Sequence, residues 1–385
     1  MHMNYIIHLT QHCNLRCKYC YENKGNREIS FDNIQKLIDN EIKEERECVN
    51  ITFYGGEPLL KKDLIYNTVD YIKSKKCKTK FYFGITTNGT LLDEQFIKYM
   101  KKNNFFNIAY SFDGLAETQN INRITTDGKG TFDVVEKNAK KLLMIDKEVV
   151  AMVVVTKNNI KKLKENVEYL MTIGFKKINL QFDYLQDWRE EDLEVIKEQF
   201  SNVAEIYYNK IIKEEDVDVF IFDEKIKTHI KEGYNCNEEC NLGIKNINVG
   251  VDGNFYPCIQ FVGDEKYIIG NCDKGIDFVA RRKLIEQLGT ENDICKECSL
   301  NKRCKHTCAC RNYLMTKDIN GLSPLNCEFE RIIIDISDKL AEKLHKQNSK
   351  LFIQKYYNEN YNVVRQIINN KKRGVLYGNK KCKKM

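Results

Sequence analysis

The chain has 385 residues, is 42% hydrophobic, holds 16 cysteines and carries a formal net charge of +7. That is enough apolar material for one large domain and a smaller one. No stretch reaches the roughly 18 uninterrupted apolar residues of a membrane span, and the start MHMNYIIHLTQHC lacks the basic, long apolar run of a signal peptide. A cytoplasmic protein with no membrane contact is expected, and a reduced compartment makes metal ligation the natural use of so many thiols. The charge does not call for nucleic acid. Residues 331–385 hold 14 Lys and Arg against 4 Asp and Glu, while residues 1–330 hold 48 against 51. The surplus belongs to a basic tail, read as a solvated helix ending in KKCKKM, with docking of an acidic peptide as its other use.

Residues 1–215 alternate β-rich runs with amphipathic helical ones. The first strand is YIIHL (Tyr5 to Leu9), and C-x3-C-x2-C follows at Cys13, Cys17 and Cys20. Three thiolates on one loop can hold three irons of a cubane and leave the fourth iron open. NIQKLIDNEIKEE reads as a helix and VNITF (Val49 to Phe53) as the second strand. Gly55-Gly56-Glu57-Pro58 comes directly after it, with glycines that allow close backbone approach and a carboxylate able to bind an ammonium group. KFYFGITT (Lys80 to Thr87) leads to Asn88-Gly89, and NIAYSF (Asn107 to Phe112) to Asp113-Gly114 and then Arg123. The fifth strand is VVAMVVVT (Val149 to Thr156). The helix NIKKLKENVEYLMTIG, stopped at Gly174, joins it to the sixth, KINLQF (Lys177 to Phe182). Six strand-helix repeats indicate a parallel sheet, doubly wound or a partial barrel, and in both the ligands gather at the carboxyl ends of the strands. Asp183, Tyr184 and Asp187 follow the sixth strand and could face a cavity, with solvent as their other environment.

A bridging region spans 216–239. Beyond it the texture changes to short strands, glycine turns and cysteines. VDGNFYPC (Val251 to Cys258) has an Asp-Gly hairpin turn, and FERIIIDISDKLAEKLHKQ is helical. Cys240-x12-Gly253-x4-Cys258 is followed by Cys295-x2-Cys298-x5-Cys304-x3-Cys308 and, 18 residues later, by Cys327. Seven cysteines at these separations exceed the needs of one zinc or one cluster, so two metal centres are expected. Cys48, Cys77 and Cys382 have no partner pattern and read as ordinary thiols.

With Tyr19 at the aromatic position of the triad and GGEP after the second strand, the sequence resembles the radical S-adenosylmethionine (SAM) superfamily. The second cysteine field resembles the SPASM domain, an auxiliary two-cluster module. The resemblance implies a partial (β/α)6 TIM-like barrel at 1–215, the bridge at 216–239, a SPASM domain at 240–330 and the basic helical tail at 331–385. It implies S-adenosylmethionine (AdoMet) and three [4Fe-4S] clusters as cofactors, one at the triad and two auxiliary. Tyr19, Gly55, Gly56, Glu57, Pro58, Asn88, Ser111, Asp113, Arg123 and Val154 lie where relatives contact AdoMet; for Asp113 a turn-capping role, for Asn88 a turn and for Val154 plain core are the alternatives. Interleaved ligation, again by resemblance, assigns Cys240, Cys258 and Cys308 to one auxiliary centre and Cys295, Cys298, Cys304 and Cys327 to the other. Cys236 is the expected fourth ligand of the first, with Cys310 and Cys272 as weaker alternatives; if none binds, an open iron is left there for a substrate cysteine.

The implied reaction is reductive cleavage of AdoMet, fed by a reductase or a flavodoxin- or ferredoxin-type donor, to a 5′-deoxyadenosyl radical that abstracts hydrogen. Relatives of this type mature peptides or oxidise a sulfatase cysteine or serine to formylglycine. In sulfatase-maturating relatives an Asp, proposed as the general base, follows the YPC cysteine. Here Ile259 does, and it cannot accept a proton. The expected activity is therefore maturation of a ribosomally made, cysteine-containing precursor peptide by a thioether crosslink, with carbon-carbon linkage, formylglycine formation and a non-catalytic electron-transfer protein as alternatives. No residue is assigned as catalytic acid or base. Cys13 leaves no room ahead of the first strand for a leader-binding region, so leader recognition is expected to use the barrel, the bridge, the tail or another protein.

Overall fold

The computed structural model describes residues 2–103, 105–234, 242–244, 246–288, 292–358, 360, 361 and 365. Cys236, Cys240 and Cys382 lie outside them.

All six expected strands form: β1 (His2–His8), β2 (Cys48–Tyr54), β3 (Lys80–Thr87), β4 (Phe105–Ser111), β5 (Val150–Val155) and β6 (Lys177–Phe182). A seventh, β7 (Asp218–Val219), pairs parallel with β6, and β8 (Asn246–Val249) pairs parallel with the other side of β1, carrying the antiparallel β9 (Phe255–Tyr256). The order is β7-β6-β5-β4-β3-β2-β1-β8-β9. Each of the first seven strands lies beside its sequence neighbour, so every right-handed crossover puts its helix on the same face. A doubly wound sheet would reverse direction midway. The architecture is therefore a partial barrel, open between β7 and β9.

Its outer layer is α1 (Phe31–Lys43), α2 (Lys62–Ser74), α3 (Glu94–Lys102), α4 (Ala116–Asn122), α5 (Phe132–Ile145), α6 (Leu163–Ile173), α7 (Leu193–Ile212) and α8 (Phe220–Ile230). Local signals set their ends. Ser30 and Asp93 accept hydrogen bonds from the backbone of Asn33 and Phe96, and α6 stops at Gly174 with φ +115°. On β1 the period of two sends Met3, Tyr5 and Ile7 into the helix-covered core. Asn4, Ile6 and His8 take the inner face, where Asn4 bonds to Asn246 at 3.0 Å and Asn50 to Asn4 at 2.6 Å. Polar side chains thus occupy a lumen that a closed barrel fills with branched apolar ones.

Three regions differ from the sequence reading. The bridge is part of the barrel wall, because β7 extends the sheet and α8 packs behind it against β6. The Asp252-Gly253 turn is present, but the hairpin's first arm is Asn246–Val249, with Val251 inside the turn. After α9 (Phe278–Gln287), α10 (Asp293–Lys296) and α11 (Ala309–Thr316), the chain enters α12 (Pro324–Lys346) and α13 (Lys350–Tyr357). α12 lies against α7 and α8, with Phe329 stacked on Phe182 at 4.7 Å between ring centres. Lys355 of α13 is buried and bonded to Tyr207 at 2.9 Å and to the Val217 carbonyl at 2.7 Å. Residues 331–357 are therefore a packed wall and not a solvated tail, since a buried apolar stripe outweighs the surface charge that marks these helices in the sequence.

Candidate active site

β1 ends at His8 and the chain turns across the mouth of the barrel, where backbone bonds fix the cysteine loop on both flanks. Arg16 donates to the Ile124 carbonyl at 2.8 Å and Lys18 to that of Asn122 at 3.0 Å. Gly56 donates to Thr10 at 2.8 Å and Glu57 to His12 at 3.0 Å. The two glycines are required by this contact. A Cβ on Gly55, whose φ is +124°, would stand 2.5 Å from the Thr10 carbonyl oxygen, and one on Gly56 would stand 2.3 Å from that of His12. GGEP is thus the clamp that holds the triad loop.

Glu57 follows the two glycines. Its carboxylate is buried and accepts from Leu59 N at 3.0 Å, Thr87 Oγ1 at 2.7 Å and Asn88 N at 2.8 Å. Burial pushes it up to about 7 against those bonds. Its side chain ties the end of β2 to the end of β3. Pro58 opens the short turn Pro58–Lys61 that follows. Asn88 turns its amide to Asn14 Oδ1 at 3.0 Å and toward the Cys13 sulfur at 3.8 Å.

Asp113 is wholly buried and is more than a turn cap. Oδ2 accepts from Tyr19 at 2.5 Å, while Oδ1 accepts from Arg123 at 3.0 Å and from the Val154 backbone at 3.1 Å. One carboxylate therefore joins the triad loop, the end of α4 and the mouth of β5. Arg123 also donates to the Met152 carbonyl at 3.2 Å and lies 5.2 Å from the centre of the Tyr19 ring. Ser111 closes β4 beside Met152, and Val154 faces Gln181 across β5 and β6.

Cys13 and Cys17 are half-buried and Cys20 is exposed. Burial raises the Cys13 thiol to about 11 and raises that of Cys17 against the pull of Arg123; metal coordination would displace those protons. Among the described residues no three His, Cys, Asp or Glu side chains are grouped tightly enough to hold a single metal ion. The donor set nevertheless suits the implied cofactors. Three sulfurs share one loop, and beside them Arg123 Nε and Asn122 Nδ2 are buried with no partner among the described residues, as donors for a carboxylate or a nucleoside would be.

A buried group at the same mouth carries no motif and was missed. His8, on the inner face at the end of β1, has Nδ1 3.6 Å from Glu22 and packs on Tyr54 at 5.0 Å. Among the described residues His8 Nε2 and Glu22 Oε1 have no partner. Tyr54 and Tyr21 share a hydrogen bond of 2.6 Å, and Tyr21 lies within electrostatic reach of Cys258. The inner-face parity of His8 on β1 was the one sequence signal for it. Of the three residues after β6, Asp187 is exposed and paired with Arg189 at 2.8 Å, Asp183 caps Leu185 N at 3.1 Å, and Tyr184 lies under Arg311.

In the second field Cys295 is on α10, Cys308 directly precedes α11, and Cys327 is in the first turn of α12. Cys298 and Cys304 each lie within electrostatic reach of Cys327. Cys310 Sγ is 3.4 Å from Cys308 Sγ, whereas Cys272 is buried, with its carbonyl held by Asn40 at 2.9 Å.

Residues 7–170 match the Radical SAM superfamily model. An uncharacterised protein of Methanocaldococcus jannaschii is 33% identical over 54% of this chain and 69% of its own. A cysteine-type anaerobic sulfatase-maturating enzyme of Clostridium novyi is 26% identical over 78% of this chain and 85% of its own. The solved structure of native anSMEcpe with bound AdoMet and the Kp18Cys peptide superposes with a TM-score of 0.77 at 21% identity, covering 90% of this chain and all of that one; its fold is the fold found here. The chain belongs to the radical SAM superfamily and is a radical SAM enzyme related to the anaerobic sulfatase-maturating enzymes.

Proposed function

We propose that this enzyme is a cytoplasmic SPASM-type maturase that forms a cysteine thioether in a ribosomally made precursor peptide, with an external flavodoxin- or ferredoxin-type protein or a reductase as electron donor. Cys13, Cys17 and Cys20 would hold a [4Fe-4S] cluster. Cys258 and Cys308, together with Cys240 and Cys236 outside the described residues, would hold a second, and Cys295, Cys298, Cys304 and Cys327 a third. Bound at the triad, cluster and AdoMet supply a 5′-deoxyadenosyl radical able to remove a hydrogen atom from the substrate.

The chain's own residues position that chemistry. Gly55 and Gly56 clamp the triad loop, and Asp113 fixes Tyr19 and Arg123 at the mouth. The Arg123 guanidinium and the Asn122 amide are donors for the methionine carboxylate or the nucleoside. Ser111, Val154 and Asn88 border the same opening. Such preorganisation is what orienting a target C–H bond and excluding water require.

The observation that most supports a macromolecular substrate is that the second cysteine field is built onto the barrel, with β8 paired to β1 and β9 leading to Cys258. Tyr21, one residue after Cys20, is bonded to Tyr54 and lies in reach of Cys258. Ile259 follows Cys258 and offers no base for formylglycine formation. Anaerobic reconstitution should give about twelve irons per chain, four per cluster, and 5′-deoxyadenosine with dithionite and AdoMet. Co-expression with a short cysteine-rich peptide encoded beside this gene should lower the peptide mass by two hydrogens, with fragmentation placing the link at a cysteine sulfur. A peptide of unchanged mass would refute the maturase reading; a link between two carbons would replace the thioether by the alternative bond.

A further inference from the structure

A buried ion network runs between the two sets of auxiliary cysteines, and the proposed steps make no use of it. Arg311 stands in the first turn of α11, three residues after Cys308, and its backbone N–H points at the Cys308 sulfur. Its guanidinium packs over the Tyr184 ring at 4.8 Å and donates to Glu330 Oε1 and, at 3.4 Å, to Asn326 Oδ1. Glu330 lies on α12 three residues after Cys327, and Asn326 is the residue before it. The other oxygen of Glu330 accepts from Lys225 at 2.6 Å and from the Lys305 backbone at 3.3 Å. The side chains of Arg311, Glu330 and Lys225 are 14%, 9% and 3% exposed.

Ion pairs this deep lose most of their attraction to desolvation, and packed apolar side chains would serve stability as well. Their asymmetry points elsewhere. The cation stands on the Cys308 side. The anion stands on the side of Cys304 and Cys327, where Glu330 accepts from the backbone of Lys305, with Lys225 opposing it at Cys304 and Arg331 at Cys327. A fixed positive charge beside an iron–sulfur cluster favours the form carrying one more electron, and a fixed negative charge disfavours it.

We propose that Arg311 and Glu330 tune the two auxiliary centres in opposite senses, the cation raising the reduction potential of the centre at Cys258 and Cys308 and the anion lowering that of the centre at Cys295, Cys298, Cys304 and Cys327. The inference rests on the two-centre reading above. Each reduction is a one-electron change, and neither residue gains or loses a proton in it. Arg311 thereby favours the arrival of an electron at the centre of Cys258 and Cys308.

The test is an anaerobic dithionite titration of the reconstituted full-length holoenzyme followed by electron paramagnetic resonance, with the auxiliary signals identified as those AdoMet leaves unchanged. R311Q lowers the equilibrium constant for reduction of one auxiliary centre about tenfold, the size of one charge acting over roughly 10 Å at an effective dielectric near 20, or about 59 mV for a one-electron couple. R311K keeps the wild-type midpoint, and E330Q moves an auxiliary midpoint upward. An unshifted R311Q overturns the proposal, as does an R311K shift as large as that of R311Q, which would make packing and not charge the cause. If R311Q yields no holoenzyme, E330Q decides by the presence or absence of its upward shift. A wild-type protein with about four irons, all of whose signals respond to AdoMet, overturns the two-centre reading itself and the proposal with it.

Discussion

Replacing Asp113 by Asn removes one charge while keeping the shape of the side chain. In the native fold that carboxylate is wholly buried and serves Tyr19, Arg123 and the Val154 backbone together. Arg123 is itself 6% exposed, and its one other bond is to the Met152 carbonyl. The variant leaves a buried guanidinium without its anion, which costs about 3–5 kcal/mol, a factor of roughly 10² to 5 × 10³ in the unfolding equilibrium. Urea unfolding of the reduced, iron-free chain measures this as a lower midpoint with an unchanged slope. The double variant D113N/R123M should lose less than the sum of the single losses, because the second change removes the stranded charge. AdoMet binding by the reconstituted enzyme should weaken as well, since Tyr19 and Arg123 lose their common anchor. A D113N loss under about 1 kcal/mol, the value of a surface pair, or strictly additive losses, would refute the description of Asp113 as the buried hub.

Gly56→Ala forces a methyl group against the His12 carbonyl, 2.3 Å away with no side chain to yield, so iron analysis should show a loss of about four irons while the auxiliary signals persist. Phe329→Ala removes the ring stacked on Phe182 and lying 5.8 Å from Trp188; unfolding should show a cost of about 3–5 kcal/mol. Glu57 supplies a pH dependence. Its carboxyl is held up to about 7 in the folded protein, so the folded state binds more protons than the unfolded one between about 4.5 and 7. The contribution is present below that window and is lost as pH rises through 7. Denaturant midpoints should therefore fall across it, with a smaller fall in E57Q.

Much of the site was legible because ligation and backbone clearance act locally. Cys13, Cys17 and Cys20 fall on one loop, and Gly55 and Gly56 lie against the residues just before it where a Cβ would clash, so both motifs stand out in one dimension. Asp113 and Glu57 were visible as residues but not as parts. Whether a carboxylate faces a ligand or is shared between Thr87 and Asn88 depends on partners 30 and 31 residues away in sequence. His8 and Glu22 left no motif at all, because an isolated histidine on a strand carries no spacing signal.

The sequence by itself determined six parallel strands with intervening helices, the strand ends as the place of the site, and two separate cysteine fields. Each follows from periodicity, turn chemistry or ligand spacing, all confined to a few neighbouring residues. Periodicity left a barrel and a doubly wound sheet open; the resemblance implied the barrel, and a strand order that never reverses shows it. Tertiary structure alone joined the second field to the first by pairing β8 with β1, residues that are 242 apart for Asn4 and Asn246. The last helices became part of the wall for the same reason. Burial depends on which distant surfaces meet, and a basic, amphipathic stretch reads alike whether its apolar face is covered or not.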